Sequence, residues 1–151
     1  MNFLDPAIAA YLDKLVPERP SELRDMERVA EATNFPIVGP TSGHLCYLVA
    51  RMIGARRVFE LGSGYGYSTA WFARAVRENG GGEVHHVVWD ETLSAKARTE
   101  LSGLGFEGII QYHVGETSPC YLNHMWTQVE PGAPRMNAAG TLKTYENIAP
   151  S

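Results

Sequence analysis

The sequence predicts an α/β protein: part of a doubly wound, Rossmann-like parallel sheet preceded by N-terminal helices. Three observations lead there. Short apolar runs at 58–61, 84–89 and 109–114 alternate with segments of helical period. Gly62, Gly64 and Gly66 follow the first run directly and lead into a helix, as in nucleotide-binding βαβ units. After Thr117 neither period continues, and the C-terminal half of such a fold is not found in what remains. The expected organisation is therefore residues 1–117, helices plus a cofactor-binding half-domain, followed by an atypical segment 118–151.

Each element has its own signal. Ile8, Tyr11, Leu12 and Leu15 recur at helical spacing and stop before Pro17. Ser21 is placed to cap a second helix carrying Leu23, Met26 and Ala30. A third begins near Thr41 or Ser42, buries Leu45, Leu48, Val49 and Met52, and ends at Gly54. Val58–Leu61 reads as a buried parallel strand. The helix from Ser68 to Glu78 shows Arg74, Arg77 and Glu78 to water and hides Trp71, Phe72, Ala75 and Val76. Gly80, Gly81 and Gly82 break the chain before a second strand, Val84–Trp89. Asp90 caps a helix with Leu93, Ala97, Leu101 and Leu104 on one stripe, closed by Gly105, and Ile109–Val114 is the third strand. With right-handed crossovers, these units make half of a doubly wound fold.

The stretch Arg57-Arg-Val-Phe-Glu-Leu-Gly-Ser-Gly-Tyr-Gly-Tyr-Ser-Thr carries most of the chemistry. A strand, a glycine turn and a helix N-terminus bring bare backbone N–H groups and a positive helix end to a ligand. Glycines there let backbone approach closely. Glu60 at the strand end repels phosphate and attracts a cation, which suits a sulfonium nucleotide better than a pyrophosphate. A dinucleotide fingerprint would place its third glycine at 67, where Tyr67 stands, so a nicotinamide-dependent oxidoreductase is disfavoured.

Composition excludes several classes. The chain has 151 residues and a formal charge of −4 with no basic face, so nucleic acid is not expected as a partner. No apolar run approaches the roughly twenty residues of a membrane span, and the N-terminus lacks a signal-peptide pattern. Cys46 and Cys120 show no Cys-x-x-Cys spacing, which fits reduced thiols and a cytoplasmic protein. His85 and His86, adjacent on a strand, face opposite ways and cannot chelate one ion. His44, His113 and His124 have no ligand spacing and read as surface or satisfied core residues. Ser63 is not in a Gly-x-Ser-x-Gly elbow, because Leu61 stands at the first glycine position.

The Gly-x-Gly-x-Gly spacing after Glu60 resembles the first motif of class I S-adenosylmethionine-dependent methyltransferases. Phe35-Pro-Ile-Val-Gly-Pro-Thr-Ser-Gly-His-Leu, a helix, then Gly54-Ala-Arg-Arg-Val narrows the likeness to the catechol O-methyltransferase-like family, as does Gly66-Tyr67-Ser68. The resemblance covers about residues 35–117. It implies that Val38 and Gly39 border the methionine part of the cofactor. It also implies that Gly62, Ser63 and Gly64 lie against it through backbone, and that Ser68 binds its carboxylate. Trp89 aligns with the residue that packs on adenine, and Gly115-Glu116-Thr117 with a turn nearby. The ribose-binding acid of the family falls at Val88; either Asp90 reaches back to the ribose, or that bond is missing and Asp90 is an N-cap only.

The family also uses a divalent cation, magnesium, held by an Asp after a fourth strand and an Asp-Asn pair after a fifth. The metal lowers the acceptor hydroxyl's pKa and a base removes its proton. No such ligands are found after Thr117, where residues 118–151 hold four prolines and four charged side chains without a period. The expected function is thus methyl transfer from S-adenosylmethionine to a hydroxyl of a small aromatic acceptor, weak or absent in this chain. The alternative is a non-catalytic fragment that binds S-adenosylmethionine or its product, S-adenosylhomocysteine. Without a fourth strand, Val58–Leu61 forms an apolar sheet edge that invites a homo-oligomer.

Overall fold

The computed structural model describes residues 5–115. Helices α1 (Pro6–Leu15), α2 (Ser21–Thr33) and α3 (Gly39–Met52) lead into β1 (Arg57–Leu61), α4 (Tyr67–Glu78), β2 (Glu83–Val88), α5 (Glu91–Ser102) and β3 (Ile110–Val114). The three strands are parallel in the order β1-β2-β3. Parallel neighbours require crossovers, and α4 and α5 provide them. Period-two alternation puts Glu60 and its cross-strand partner His86 on one face of the sheet and Phe59 and His85 on the other. This confirms the opposite orientation of the two adjacent histidines.

The core lies between the sheet, α4, α5 and α2. Its largest fully buried side chains include Trp71, Met26, Leu101, His86 and Val76. Leu23, Met26 and Ala30 form the buried stripe of α2, as their spacing predicts. Trp71, Ala75 and Val76 are buried on α4, with Phe72 half-buried at the margin.

Several sequence expectations need correction. Ser21 is the first helical residue of α2, not its cap; the cap is Pro20, which has no side chain to donate or accept. The α3 helix starts at Gly39, two residues before the expected start, with Pro40 in its first turn, where a missing N–H costs nothing. Its buried residues are Gly43 and Ala50, whereas Leu45, Leu48, Val49 and Met52 are exposed, Met52 to 84%. Close approach to α4 is the reason. A Cβ on Gly43 would lie 2.3 Å from Trp71 Nε1, so only small residues fit the contact line. The large apolar side chains are displaced to the opposite face. On α1, Ile8, Tyr11 and Leu15 are likewise exposed. Trp89 lies just outside β2, α5 ends before Leu104 with Gly103 as its C-cap, and Ile109 precedes β3.

Asn79, at the end of α4, donates from Nδ2 to the carbonyls of Ala50 and Ala55 at 3.1 and 2.8 Å. It thereby fixes the turn that carries α3 into β1. Among the described residues no helix is long and apolar enough to cross a membrane.

Replacing Gly43 by alanine sets two effects against each other. Helix propensity gains about 1 kcal/mol. Overpacking against a rigid indole costs about 1–3 kcal/mol, and at 2.3 Å the upper part of that range applies. Gly43→Ala is therefore expected to lower stability in urea unfolding; a midpoint equal to or above that of the parent chain would show that α3 and α4 are not tightly opposed.

Candidate functional site

Sheets of this kind bind ligands beyond the carboxyl ends of their strands. Here that edge is marked by exposed apolar side chains: Leu61 at the end of β1, Trp89 just after β2, Val114 at the end of β3 and Val38 at the start of α3. Trp89 is 71% exposed and so is not the core aromatic that its strand neighbours suggest.

The loop after β1 is built by internal bonds. The N–H groups of Gly62 and Ser63 both donate to Val87 O, at 3.0 and 3.1 Å, and Gly66 N–H donates to Ser63 O. Ser63 Oγ donates to Glu60 O and accepts from Val87 N–H, each at 3.1 Å. The first loop N–H groups are thus spent on β2, contrary to the expectation that they stand bare. The glycines also divide their tasks. Only Gly62 would point a Cβ into open space; one on Gly64 would meet the Phe35 ring at 3.2 Å, and one on Gly66 would lie 2.7 Å from Leu101 Cδ1. Gly66 therefore serves packing against α5, and its φ of 95° suits glycine.

Tyrosines fasten the loop to α2. Tyr65 is buried and donates its hydroxyl to Met26 O at 2.8 Å, while its ring lies 4.8 Å from that of Phe35. Phe35 thus ties the segment leading to Val38 and Gly39 to the glycine loop. Tyr67 is also buried and donates to Glu27 Oε1 at 2.6 Å; Arg19 grips both oxygens of Glu27. Burial and the Glu27 carboxylate push the Tyr67 phenol well above its ordinary pKa. Its side chain faces α2, so any part it takes in ligand binding runs through backbone.

Glu60 sits at the head of α4. Ser68 Oγ donates to its Oε1, and Thr69 Oγ1 donates to Oε2 at 2.6 Å. Thr69 Oγ1 lies 3.0 Å from His86 Nδ1. Burial raises the Glu60 pKa, opposed by the hydroxyls of Ser68, Thr69 and Ser63. Burial lowers His86 to about 4, helped by Arg98 and His113. Ser68, expected to bind a ligand carboxylate, has its hydroxyl on Glu60 in this structure.

Asp90 caps α5 through Oδ1, which accepts from Thr92 N–H, Thr92 Oγ1 and Leu93 N–H at 2.7, 2.5 and 3.3 Å. The Thr92 hydroxyl and these backbone donors hold its pKa below the usual range. All three bonds fall on one oxygen. Val88, at the family's acid position, is fully buried. Gly115 follows β3 directly, and Glu116 and Thr117 lie outside the described residues. His85 Nδ1 lies 3.0 Å from His113 Nε2 on the other sheet face. Among the described residues no group of three His, Cys, Asp or Glu side chains is placed to hold a metal ion, so the magnesium site of the family is not matched there.

Thr69, His86 and Glu27 escaped the sequence reading. Thr69 adjoins the motif, and His86 occupies an alternating position of a buried strand. What joins them is the β1–β2 register, Glu60 opposite His86.

A glycine loop after the first strand of a parallel βαβαβ unit, with an acid at that strand's end, defines the nucleotide-binding half of a Rossmann-like methyltransferase domain. A family model described as a methyltransferase domain matches residues 59–133. A catechol O-methyltransferase of Niastella koreensis is 32% identical over 79 residues, which is 52% of this chain and 35% of that protein. A methyltransferase from Geobacter sulfurreducens superposes with a TM-score of 0.67 at 34% identity, covering 75% of this chain and 58% of that one. An O-methyltransferase from Bacillus cereus, solved in complex with S-adenosylhomocysteine, superposes with a TM-score of 0.67 at 27% identity, covering 78% and 55%. The chain thus resembles class I methyltransferases, and the part that matches is the N-terminal part of their domain. It spans about a third of the curated relative and little more than half of these structures.

Stability and binding should respond in opposite senses at Glu60. A carboxyl whose folded pKa is raised contributes stability at acid pH, and that contribution is lost as pH rises through the folded value. Ionised Glu60 therefore costs stability at neutral pH. Glu60→Gln is expected to melt at an equal or higher temperature at pH 7, with the difference shrinking toward the ordinary carboxylate range. Loss of the charge should weaken S-adenosylmethionine binding by about tenfold or more. A variant that is less stable at pH 7 yet binds normally would refute this account.

Proposed function

We propose that this chain binds S-adenosylmethionine at the carboxyl edge of its sheet and belongs to a protein that transfers the methyl group to a hydroxyl of a small aromatic acceptor. The observation that carries the reading is the Glu60 carboxylate held by the first turn of α4. In a dinucleotide site a phosphate takes that helix end. A carboxylate already there excludes a pyrophosphate and favours a ligand bearing positive charge.

S-adenosylmethionine supplies, when bound, an electrophilic methyl on a sulfonium. On this reading Val38 and Gly39 border its methionine part, and Gly62, Ser63 and Gly64 form the floor beneath it. Glu60 faces its positive charge and Trp89 covers the adenine. Asp90 takes a ribose hydroxyl with the oxygen that does not cap α5. Ser68 has one proton, so it serves either Glu60 or the ligand's carboxylate, not both at once. The Niastella relative's name as a catechol O-methyltransferase supports a small aromatic acceptor.

Calorimetric titration of the chain with S-adenosylmethionine, S-adenosylhomocysteine and NAD checks the ligand class. The sulfur nucleotides should bind and NAD should not; NAD binding with no response to the others would sink the reading.

Methyl transfer by this chain alone is expected near background. The sequence from 118 to 151 contains no Asp to activate the acceptor as in the family, and orientation and metal activation each supply several kcal/mol in enzymes that use them. A labelled-methyl assay over catechols with magnesium is the measurement. Robust turnover abolished by a chelator would overturn this expectation.

A further inference from the structure

We propose that His86 is a positioning residue of this site: its Nδ1–H, donated to Thr69 Oγ1, turns the single hydroxyl proton of Thr69 onto Glu60 and holds that carboxylate as a pure acceptor toward the ligand. The assignment rests on the reading that Glu60 faces the positive charge of the cofactor.

Thr69 Oγ1 has two neighbours, Glu60 Oε2 at 2.6 Å and His86 Nδ1 at 3.0 Å, but only one proton to give. If His86 carries its proton on Nε2, its Nδ1 demands the threonine proton. Glu60 must then be protonated to keep its own short contact with the threonine. If the proton is on Nδ1, the threonine gives its own to Glu60, and Ser68 supplies another to the second oxygen. Each oxygen of the ionised carboxylate then accepts one hydroxyl proton.

A second observation selects between the two. His86 Nε2 is buried and has no hydrogen-bond partner among the described residues. An orphaned buried N–H is rarer than an unsatisfied acceptor, so Nε2 carries the lone pair and Nδ1 the proton. The surroundings exclude a charged ring. Both His86 and Thr69 are fully buried, the Tyr112 ring of β3 lies 5.3 Å away, and the nearby charged or titratable groups are Arg98 of α5 and His113 of β3. Burial and these two neighbours bring the His86 pKa down to about 4, so the ring is neutral at pH 7. Glu60 for its part is faced by Ser63 of the loop, by Ser68 and Thr69 of α4, and by Cys46 of α3. No cation among these groups offsets its charge, which leaves the oriented hydroxyls to stabilise it.

Long-range nitrogen–proton correlation spectra of the full chain at pH 7, with His86 assigned through its backbone, read the tautomer directly. The expected result is neutral His86 protonated at Nδ1; protonation at Nε2, or an imidazolium, would overturn the proposal. Binding of S-adenosylmethionine across a pH series gives the second readout. Thr69→Val should weaken it by about tenfold or more at neutral pH and raise the pH below which it is lost. His86→Asn, whose amide nitrogen can replace the Nδ1–H donor, should retain more affinity than His86→Phe. Parent-like affinity and pH profile in both Thr69→Val and His86→Phe would refute the positioning role. A Nδ1–H signal in a chain that binds no S-adenosylmethionine would support the proton assignment while sinking the cofactor reading, so the two failures are distinguishable.

Discussion

The carboxylate of Glu60 at the head of α4 is the constraint on which the rest of the site depends. It joins the end of β1 to the first turn of α4 through Ser68 and Thr69, and through Thr69 it reaches His86 in the middle of β2. Three elements of the βαβ unit therefore converge on one ionisable group. Burying it works against its charge. The protein offsets part of that cost with hydroxyl donors rather than with a counter-charge. An ion pair would have neutralised Glu60 internally; on the proposed reading, hydroxyls keep it available to a positively charged ligand. This choice of donors is what separates the loop from a phosphate cradle of similar glycine spacing.

The loop itself is held rather than flexed into place. Its beginning is stitched to Val87 by backbone and by Ser63, and its end is anchored on α2 by the buried Tyr65 and Tyr67. Phe35 adds the link to the segment before α3. Preorganisation of this kind lowers the ordering cost of binding. It also explains why α2, remote from the strand ends, carries the Arg19–Glu27 pair: that pair terminates the Tyr67 hydrogen bond instead of lying idle on the surface.

Much of this was legible in the sequence, and the rest was hidden for identifiable reasons. The βαβαβ order and the Glu60 glycine loop followed from local period and punctuation, because those signals are one-dimensional. The face of α3 did not. Hydropathy ranks Leu45, Leu48, Val49 and Met52 as core, but the tight contact with Trp71 selects Gly43 and Ala50, which a hydrophobicity pattern does not favour. The partner of Glu60 was hidden for another reason. Glu60 and His86 are far apart in sequence and meet only through strand register, which no local pattern fixes. Gly64 and Gly66 fit the motif's spacing, yet a Cβ on either would meet Phe35 or Leu101, whereas one on Gly62 would point into open space.

Placement separates the meanings of two of the sets of exposed apolar side chains. Leu61, Trp89 and Val114 lie where strands end, and Val38 lies where α3 begins. An amphipathic nucleotide, apolar at its base and charged at its amino-acid end, would cover both at once. Leu45, Leu48, Val49 and Met52 instead line a helix face turned away from its contact with α4, with no glycine loop and no buried acid among them. A small ligand has nothing there to orient it. The same contrast explains the position of Asp90. By capping α5 with one oxygen, it keeps the first turn of that helix in place beside Trp89. If Asp90 takes the ribose in place of the acid that the family puts at Val88, it does so with the oxygen that the cap leaves uncommitted.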